Sequence, residues 1–397
     1  MPTRPSLRAL TDRLVDRPLP PPPEVLRRGP FRAGEPGPPH DARTARLLGS
    51  ATGVVLLTCL LTGVVSHLHQ HPVSGFDLPS RPVWGYRLTQ GLHVAAGIAA
   101  VPLVLAKLWV VFPRLFVWPP ARTLAHLAER ALIAPLVAGT LFELVSGLLN
   151  IVQWYPWPFF FPHVHWAVAW IVAGSVLVHV AVKAPLGRRV RGAQAPAPAP
   201  VARRAVLAGA GTAAVAVTLA TAGQTVPALD RFSVLAPRRP RTAPGGVPVN
   251  RTAGAAGVHA AASDPGWRLV VAGPRDVRLG LADLQRLPQF DARLPIACVE
   301  GWSATALWSG VRLRDVLDLA GVPHDAHLRL VSLERGGLYG ASPMAPPTAR
   351  DPLTLLALRL GGAPLSLDHG YPLRLVAPNR PGVLQTKWLG RIEQVPA

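Results

Sequence analysis

The N-terminal half of the chain contains a series of apolar runs, each about as long as a lipid bilayer is thick. Four strong runs lie near residues 47–66, 88–112, 131–152 and 164–183, and a weaker run rich in Ala and Gly lies near 205–223. A transmembrane helix needs about 20 predominantly apolar residues. Inside a bilayer the backbone must satisfy its own hydrogen bonds, so these runs predict membrane-spanning helices. The predicted fold class therefore begins with an all-α bundle of about five spans.

The distribution of Lys and Arg between the runs predicts the orientation of this bundle. The 397-residue chain has 41 Lys and Arg against 21 Asp and Glu. The basic residues crowd residues 1–46, 113–130 and 183–204, and such excesses mark cytoplasmic segments. We therefore expect a multi-pass protein of the cell membrane with a cytoplasmic N-terminus and, after an odd number of spans, an extracytoplasmic C-terminal half. Because the basic residues alternate with apolar runs, we expect membrane lipid and not nucleic acid as the partner.

Composition divides the chain into four parts. We predict a disordered basic tail at 1–46, a four-helix membrane domain at 47–184, a basic loop with the fifth span and a linker at 185–244, and an α+β domain at 245–397. The pair Arg203-Arg204 precedes the small-residue fifth run and has two interpretations. It is either a twin-arginine export signal or the ordinary basic flank of a span.

Histidines within the predicted spans are candidate metal ligands, because ionisable groups inside a membrane are costly and are functional candidates by default. His165 and His179 lie 14 residues apart in the fourth run, which places them on one helical face, about 21 Å apart along the axis. That spacing suits two haems, one near each membrane surface. His93 in the second run is the natural partner of His165, and His40 is the candidate partner of His179.

This histidine pattern resembles that of the cytochrome b subunits of formate dehydrogenases and related quinol-linked enzymes, over about residues 40–185. The resemblance implies one or two b-type haems and a quinone as electron-transfer partner. The chain departs from this pattern at the first-helix ligand, for which His40 is the candidate, so a one-haem protein stays an alternative. Glu143 is the one acid well inside a run. It suits a position beside a haem, a quinone or a proton path, and equally a neutral carboxyl bonded to Asn150 or a Ser.

From about residue 245 the pattern changes to short runs bounded by Gly and Pro. Strands are predicted at 267–272, 327–333 and 372–377, a turn into a short helix at 279–287, and a helix at 313–319. The apolar run 294–299 contains Cys298, which precedes a Gly and is expected on a turn. On local grounds this thiol is a metal ligand, a nucleophile or an inert core residue. No zinc site is expected, since no second Cys or close His accompanies it, and no disulfide with Cys59.

The segment Cys298-Val299-Glu300-Gly301-Trp302-Ser303 closely resembles the motif of the sulfite oxidase-like molybdopterin family, especially its bacterial methionine sulfoxide reductase branch. Further matches follow in the family's order at residues 339–342, 351–365, 369–375 and 385–389. The resemblance implies that Cys298 is the one protein ligand of molybdenum, that Tyr339 is the active-site tyrosine, and that residues 351–365 form a helix and a turn. It also implies that the pterin cofactor is bound by His369, Arg374, Gln385, Thr386 and Lys387.

The chain departs from the family's pattern in three places. The N-terminal cofactor-binding segment is reduced to residues 249–252, where Asn250 is the candidate. Glu300 and Gly301 stand where sulfite-binding arginines are expected, which argues against sulfite as the substrate. No dimerisation domain is expected after Leu389.

These observations predict a membrane-bound, Mo-molybdopterin-dependent oxidoreductase. Oxygen-atom transfer at an extracytoplasmic molybdenum centre would be coupled to electron transfer through haem b. The expected substrate is a small S-oxide or N-oxide that is reduced, or a small sulfur-containing compound that is oxidised. The alternative is a haem-linked membrane reductase, or a scaffold, whose molybdopterin domain is non-catalytic.

Overall fold

The computed structural model describes residues 24, 40–73, 75–115, 124–190 and 200–395. Most of the predicted tail 1–46 therefore lies outside the described residues. Long helices fill the N-terminal part: α1 (Ala42–Gln70), α2 (Gly85–Leu115), α3 (Leu124–Ile151), α4 (Phe161–Val190) and α5 (Pro200–Ala222). Within the described residues, five helices are long and apolar enough to cross a membrane. The predicted all-α part of the fold class is confirmed.

All five long helices begin before the apolar runs that predicted them, and α1, α2 and α4 also end beyond those runs. At the start of α1, the Asp41 carboxylate accepts hydrogen bonds from the backbone N–H groups of Arg43 (2.8 Å) and Thr44 (2.9 Å). An Asp at this position satisfies N–H groups that have no partner inside the helix. The cap fixes the start of α1 at Ala42, because it supplies a local signal that apolar periodicity does not contain.

Small and branched apolar side chains pack α1, α2 and α5 together. The buried members of this cluster are Ala45, Leu48, Leu103, Val110, Ala210 and Ala214. Small residues let helices approach closely in a membrane, where packing rather than water exclusion drives association. The pattern of small residues thus supports helix association in lipid.

The C-terminal part combines strands with short helices. The strands are β1 (Leu269–Ala272), β2 (Val277–Leu279), β3 (Phe290–Ala297), β4 (Ser303–Arg312), β5 (His327–Ser332), β6 (Ala341–Met344), β7 (Leu355–Leu360), β8 (Ala363–Pro364), β9 (Arg374–Val376) and β10 (Leu389–Val395). The short helices are α6 (Ala253–Ala256), α7 (His259–Ser263), α8 (Leu281–Arg286), α9 (Leu313–Leu319) and α10 (Pro346–Ala349). This mixture confirms the predicted α+β class, and α9 has the predicted bounds.

The strands form two sheets. The first has the order β2-β1-β10-β5-β6, in which β1 and β10 are parallel and the other pairs are antiparallel. The second has the order β3-β4-β7-β8, with β9 paired to β7, and is antiparallel throughout. The larger buried apolar cluster takes side chains from both sheets, for example Leu330 of β5 and Leu358 of β7, whereas the other cluster lies on the second sheet. Cys298 belongs to the cluster on the second sheet, directly after β3.

Residues 351–365 do not form the helix that the family resemblance implied. Leu355–Leu360 is a strand, β7, with β4 on one side and β9 on the other. Its six residues include five that are buried. Leu and Ala are strong helix formers, but a central strand buried on both faces also reads as a continuous apolar run. The turn at Gly361-Gly362 was predicted correctly, and both glycines have positive φ (61° and 84°).

Contacts divide the chain into two compact units. One unit lies within residues 1–60 and 96–218, and the other within residues 61–95 and 219–397. The second unit contains more than the predicted C-terminal domain. It also takes in the C-terminal end of α1, the N-terminal end of α2, the loop between them, and the chain after residue 218.

Candidate functional site

A cavity of about 420 Å³ lies in the C-terminal part of the chain. Its walls come from segments 248–251, 296–302, 332–339, 368–374 and 382–388. Ligand-binding cavities in proteins usually measure about 300–1,000 Å³. Most of the predicted site residues line it: Asn250, Cys298, Tyr339, Arg374, Gln385, Thr386 and Lys387. The fold thus brings together residues that are up to 137 positions apart in sequence.

Cys298 is presented on a tight turn directly after β3, as predicted. The backbone N–H of Cys298 donates to the carbonyl of Trp302 (2.9 Å), and the N–H of Gly301 donates to the carbonyl of Cys298 (3.0 Å). Gly301 has a φ of 93°, a conformation that only glycine adopts without strain. The side chain of Cys298 is nearly inaccessible, at 3% exposure, yet it contributes to the cavity wall.

Asn250 fixes the sulfur of Cys298. The Asn250 Nδ2 group donates to Cys298 Sγ at 3.0 Å. The Asn250 side chain is held in turn by Trp302, whose Nε1 donates to Asn250 Oδ1 at 3.2 Å. The reduced N-terminal segment therefore supplies a contact to Cys298, at the residue that the sequence analysis selected.

Burial of the Cys298 thiol, together with the nearby Glu300 carboxylate, raises its pKa well above the usual range. At neutral pH the thiol is therefore protonated in this environment. A thiol is a weak nucleophile, because the thiolate is the reactive form. A metal cation displaces that proton when the sulfur becomes a ligand. The raised pKa therefore argues against Cys298 as a free nucleophile.

Tyr339 lies on the loop between β5 and β6 and lines the same cavity. Burial, followed by the influence of Cys298, raises the pKa of its phenol. The hydroxyl therefore stays protonated at neutral pH and can donate a hydrogen bond to a bound molecule. This agrees with the active-site role that the resemblance implied for Tyr339.

Two cations, Arg374 and Lys387, also line the cavity. Arg374 is 6% exposed, its guanidinium donates to the His369 carbonyl at 3.2 Å, and it lies 5.2 Å from the ring centroid of Trp308. Burial lowers the pKa of Arg374 to about 10. The Arg374 Nε–H group is buried and has no hydrogen-bond partner among the residues that the structure describes. A buried donor of this kind is costly unless a ligand satisfies it.

Lys387 is the second cation of the wall. Its ammonium group donates to the carbonyls of Arg251 and Asp368 (2.9 Å for Asp368). Burial, with a smaller contribution from Arg374, lowers its pKa to about 7. The next residue, Trp388, has a φ of 52°. Such a conformation in a non-glycine residue is strained and is found most often at functional sites.

His369 lies behind the cavity wall rather than on it. Its Nε2 contacts the Val247 carbonyl at 3.0 Å, and its Nδ1 contacts Ser366 Oγ at 2.9 Å. A carbonyl only accepts, so Nε2 carries the proton and Nδ1 accepts from Ser366. Burial lowers the pKa of His369, and the hydrogen bond to Val247, which raises it, does not cancel this effect, so the ring is neutral. Both nitrogens are used internally, which gives His369 a supporting position.

The side chains of Gln385 and Thr386 also form hydrogen bonds within the protein. The Gln385 amide bonds to the backbone of Ala377 (2.9 and 3.3 Å) and to the Arg380 carbonyl (3.3 Å). Thr386 Oγ1 lies 2.8 Å from Ser342 Oγ. These two residues therefore shape the cavity wall. Any polar contact that they make with a bound molecule would have to come from their backbone.

Sequence reasoning missed several charged residues of the site. Arg251 and Glu334 form an ion pair at 2.7 Å on the cavity wall. Arg380 is buried just behind it and donates to the carbonyls of Pro343 (2.7 Å) and Leu384 (2.9 Å). Burial lowers the pKa of Arg380 to about 9. From the sequence alone, a buried Arg in a loop cannot be told from a solvated surface Arg. The one sequence signal was the position of Arg251 next to Asn250.

Three of the four predicted haem ligands, His93, His165 and His179, lie on helices, as expected. His93 Nδ1 is 3.2 Å from Thr62 Oγ1. His165 Nδ1 is 3.0 Å from Glu143 Oε2 and 3.4 Å from Ser146 Oγ. Glu143 thus contacts His165, a partner that was not among the alternatives considered from the sequence. Asn150 bonds instead to the hydroxyl of Tyr155 (3.0 Å).

The remaining two candidate haem ligands are His179 and His40. His179 lies on α4 together with His165, since that helix runs unbroken from Phe161 to Val190. His40 precedes α1, and its Nδ1 lies 3.1 Å from the Val110 carbonyl. Its ring centroid lies 5.1 Å from that of Trp109. The assignment of either histidine to a haem stays a prediction.

Comparisons with known proteins agree with this geometry. Residues 256–396 match the family described as the oxidoreductase molybdopterin binding domain. Human mitochondrial sulfite oxidase is 33% identical over 150 residues, which cover 31% of this chain and 28% of that protein. Sulfite oxidase of Arabidopsis thaliana is 30% identical over 151 residues, covering 30% of this chain and 38% of that protein.

A bacterial relative is covered more fully. The uncharacterized oxidoreductase YuiH of Bacillus subtilis (strain 168) is 34% identical over 130 residues, which are 32% of this chain and 64% of that protein. The chain therefore spans less than two thirds of the length of these relatives. Among solved structures, the sulfane dehydrogenase SoxCD from Paracoccus pantotrophus is similar over 33% of this chain and 38% of its own chain, with 23% identity and a TM-score of 0.30. The C-terminal part of this chain is therefore a sulfite oxidase-like molybdopterin-binding domain.

Proposed function

We propose that the protein is a membrane-bound molybdopterin oxidoreductase that transfers an oxygen atom at the Cys298 cavity. One observation carries this proposal. A single soft thiol lines one cavity with buried Arg374, whose Nε–H has no hydrogen-bond partner among the described residues. A pterin cofactor needs both features, because its metal takes a soft sulfur ligand and its phosphate needs cationic donors.

The residues of the cavity fit such a cofactor. Cys298 would bind the metal, while Arg374, Lys387 and the backbone of residues 385–387 would hold the anionic end. When bound, the cofactor supplies two-electron oxygen-atom chemistry, and the protein positions it and tunes it. Asn250 keeps the Cys298 sulfur in place. The protonated Tyr339 hydroxyl donates a hydrogen bond to the oxygen of the substrate.

For the substrate we propose a small S-oxide or N-oxide. The support is the Cys298 motif, which resembles that of the bacterial methionine sulfoxide reductase branch and has Glu300 and Gly301 in place of sulfite-binding arginines. Oxidation of a small sulfur compound, sulfite included, is the second candidate. The names of the relatives from human and Arabidopsis thaliana favour it.

We further propose that the apolar helices anchor the protein in a membrane and carry haem b. Length and apolar composition support the anchoring, and the distribution of Lys and Arg supports an extracytoplasmic catalytic domain. For haem, the support is the contact of Nδ1 with an oxygen in both His93 and His165. Metal-bound histidines are usually oriented by such a bond on the other ring nitrogen. A quinone would be the electron-transfer partner.

A pair of cysteine variants tests the molybdenum proposal. Cys298→Ala in the full-length protein should abolish turnover of an S-oxide and the paramagnetic Mo(V) signal, because the metal loses its protein ligand. Cys59→Ala is the matched control, since Cys59 lies on α1 and should leave both unchanged. Absence of molybdenum from the purified wild-type protein would contradict the proposal. That result would favour a scaffold or a purely haem-linked reductase.

A separate experiment tests the haem proposal. The purified protein should show a Soret band that shifts on reduction with dithionite. His93→Ala and His165→Ala should each lower the haem content, whereas His259→Ala, an exposed histidine of the C-terminal domain, should not. If no Soret band is present in the wild-type protein, the haem proposal fails and the molybdenum proposal is unaffected.

A further inference from the structure

The turn that carries Cys298 is held by residues outside the molybdopterin-binding domain. Gln90, on α2, donates from Nε2 to the Val299 carbonyl at 2.9 Å. The hydroxyl of Thr225, just after α5, donates to the Gly301 carbonyl. The backbone N–H of Ser303 donates to the carbonyl of Gln224 at 2.8 Å. The turn is therefore tied at three positions to the ends of two apolar helices.

Gln90 is itself fixed in its position. Its side chain is buried, at 4% exposure, and its Oε1 accepts a hydrogen bond from Ser66 Oγ on α1 at 2.9 Å. Ser66 Oγ also lies 3.2 Å from the hydroxyl of Tyr86, which is 1% exposed. A buried amide whose two ends are both bonded has one orientation. The position of the turn therefore depends on the positions of α1 at Ser66 and of α2 at Gln90.

Close packing leaves the turn little room to move. A Cβ atom added at Gly301 would lie 2.8 Å from Val94 Cγ1 and 3.0 Å from Gln224 Nε2. Both distances are shorter than an ordinary van der Waals contact. Val94 follows Gln90 by one helical turn on α2, so the same face of this helix supplies a hydrogen bond and an apolar contact.

The ends of the helices are attached to the domain at a second place. Asn379 Oδ1 accepts from the N–H of Tyr86 (2.6 Å), and Asn379 Nδ2 donates to the Pro79 carbonyl (2.8 Å). Arg81 forms a bidentate pair with Asp351 (2.9 and 3.0 Å). These bonds hold the N-terminal end of α2, which carries Gln90, against the molybdopterin-binding domain.

We propose that Gln90 and Thr225 are positioning residues for Cys298, so that the ends of the apolar helices complete the active site of the molybdopterin-binding domain. The proposal rests on the proposed role of Cys298 as the molybdenum ligand. The two side chains touch the backbone of the turn and not the reacting atoms. They fix the turn that directs the sulfur, as Asn250 fixes the sulfur itself.

Two isosteric substitutions in the full-length protein test this proposal. Gln90→Met and Thr225→Val each remove one hydrogen bond to the turn and keep the volume of the side chain. Gln70→Met is the first control, because Gln70 donates to the same Ser66 but makes no bond to the turn (3.3 and 3.1 Å). Thr89→Val is the second, because Thr89 bonds only to the backbone of its own helix (3.3 and 3.2 Å).

Three quantities are measured on each variant: the molybdenum content, the Mo(V) paramagnetic spectrum, and the turnover of an S-oxide at saturation. Loss of an outer partner of a metal ligand lowers activity or metal affinity by about 10- to 100-fold. We expect a loss of this size in Gln90→Met and Thr225→Val, with an altered Mo(V) spectrum in the metal that remains. The two control variants should keep the wild-type spectrum and turnover.

A second measurement does not depend on the loaded enzyme. In cofactor-free full-length protein carrying Cys59→Ala, alkylation of Cys298 should be faster in Gln90→Met than in Gln70→Met, because the released turn exposes the sulfur. Equal spectra, equal turnover and equal alkylation rates in test and control variants would overturn the proposal. If the wild-type protein binds molybdenum but Cys298→Ala keeps the same Mo(V) spectrum, the role of Cys298 fails instead.

Discussion

Apolar side chains have opposite surroundings in the helical part of the chain and in the molybdopterin-binding domain. In the domain, Leu313 and Leu330 are completely buried. On the long helices, Leu177 is 72% exposed and Leu61 is 58% exposed. Both parts are rich in Leu and Val, yet among the described residues most of the exposed large apolar side chains lie on the long helices. Large apolar surfaces of this kind mark a membrane or a partner.

This contrast shows that hydrophobicity has two separate roles in one chain. In the domain, burial of apolar area drives folding in water and stabilises the sheets by about 25 cal/mol per Å². On the long helices, the same residue types would be solvated by lipid, and small side chains and polar bonds would hold the helices together. The same substitution should therefore have different consequences in the two parts.

Truncation of a buried leucine should give the largest effect. Leu313→Ala removes a fully buried side chain from the larger apolar cluster, to which both sheets contribute, and should lower the free energy of unfolding of the domain by about 2–5 kcal/mol. Leu61→Ala, on α1, should change it by less than about 0.5 kcal/mol. Chemical unfolding in detergent micelles measures both. Equal losses would show that the long helices have a water-excluding core of their own.

Introduction of a charge should have the larger effect on the long helices and the smaller effect in the domain. Leu177 on α4 and Leu338 on the β5–β6 loop are both 72% exposed. Leu177→Arg should reduce membrane insertion, because Arg costs about 2.5–3.5 kcal/mol at the centre of a span, whereas Leu338→Arg should leave insertion unchanged. Extraction of membranes with alkaline carbonate measures the inserted fraction. If Leu177→Arg inserts like the wild type, α4 does not lie in lipid at this position.

The charge of Lys387, in the molybdopterin-binding domain, should make binding of the anionic cofactor depend on pH. Burial lowers the pKa of Lys387 to about 7, so the cofactor-free site loses this charge as the pH rises above 7. Loading of cofactor-free protein with the anionic cofactor should therefore weaken by up to about tenfold per pH unit above 7. In Lys387→Met, loading should be weaker and free of this slope, whereas Lys183→Met should keep it. A wild-type profile that is flat from pH 6 to 9 would contradict the role of Lys387.

The ion pair between Arg81 and Asp351 should give the smallest effect. Burial raises the pKa of Asp351, but hydrogen bonds from Arg81, Ser80 and Leu353 outweigh it and leave the pKa lowered. Its contribution to stability is thus present above the unfolded pKa of a carboxyl, about 3.9, and is lost as the pH falls through the folded value. The Arg81 side chain is 50% exposed, so Arg81→Met should cost at most about 1 kcal/mol at pH 7.

The exposed pair Arg329–Glu393 serves as the control for that measurement, with side chains that are 56% and 28% exposed. Thermal unfolding should show a smaller loss in Arg329→Met than in Arg81→Met at pH 7, since neither partner of this pair is buried. The Arg81→Met loss should vanish in acid, once Asp351 is protonated. A loss that persists there would mean that Arg81 acts through packing rather than charge.

Part of this molecule could be predicted from the sequence. The apolar runs located the long helices, and α9 was predicted with its correct bounds. The turn after β3 and the candidate ligand Cys298 followed from one motif. These features depend on residues that are near one another in the chain, where spacing and composition are sufficient information. The role of residues 351–365 was misjudged, because an apolar run of this length is compatible with a buried helix and with a buried strand.

The sequence by itself determined where the chain is apolar, where its thiol lies on a turn, and which cations could serve an anionic cofactor. Only the tertiary structure decided which of these residues meet. It placed His369 behind the cavity wall and engaged the side chains of Gln385 and Thr386 in hydrogen bonds within the protein. It also brought Gln90 into contact with the turn of Cys298, more than 200 residues away in the sequence. Strand pairing and helix packing set such long-range contacts, and no local pattern in the sequence encodes them.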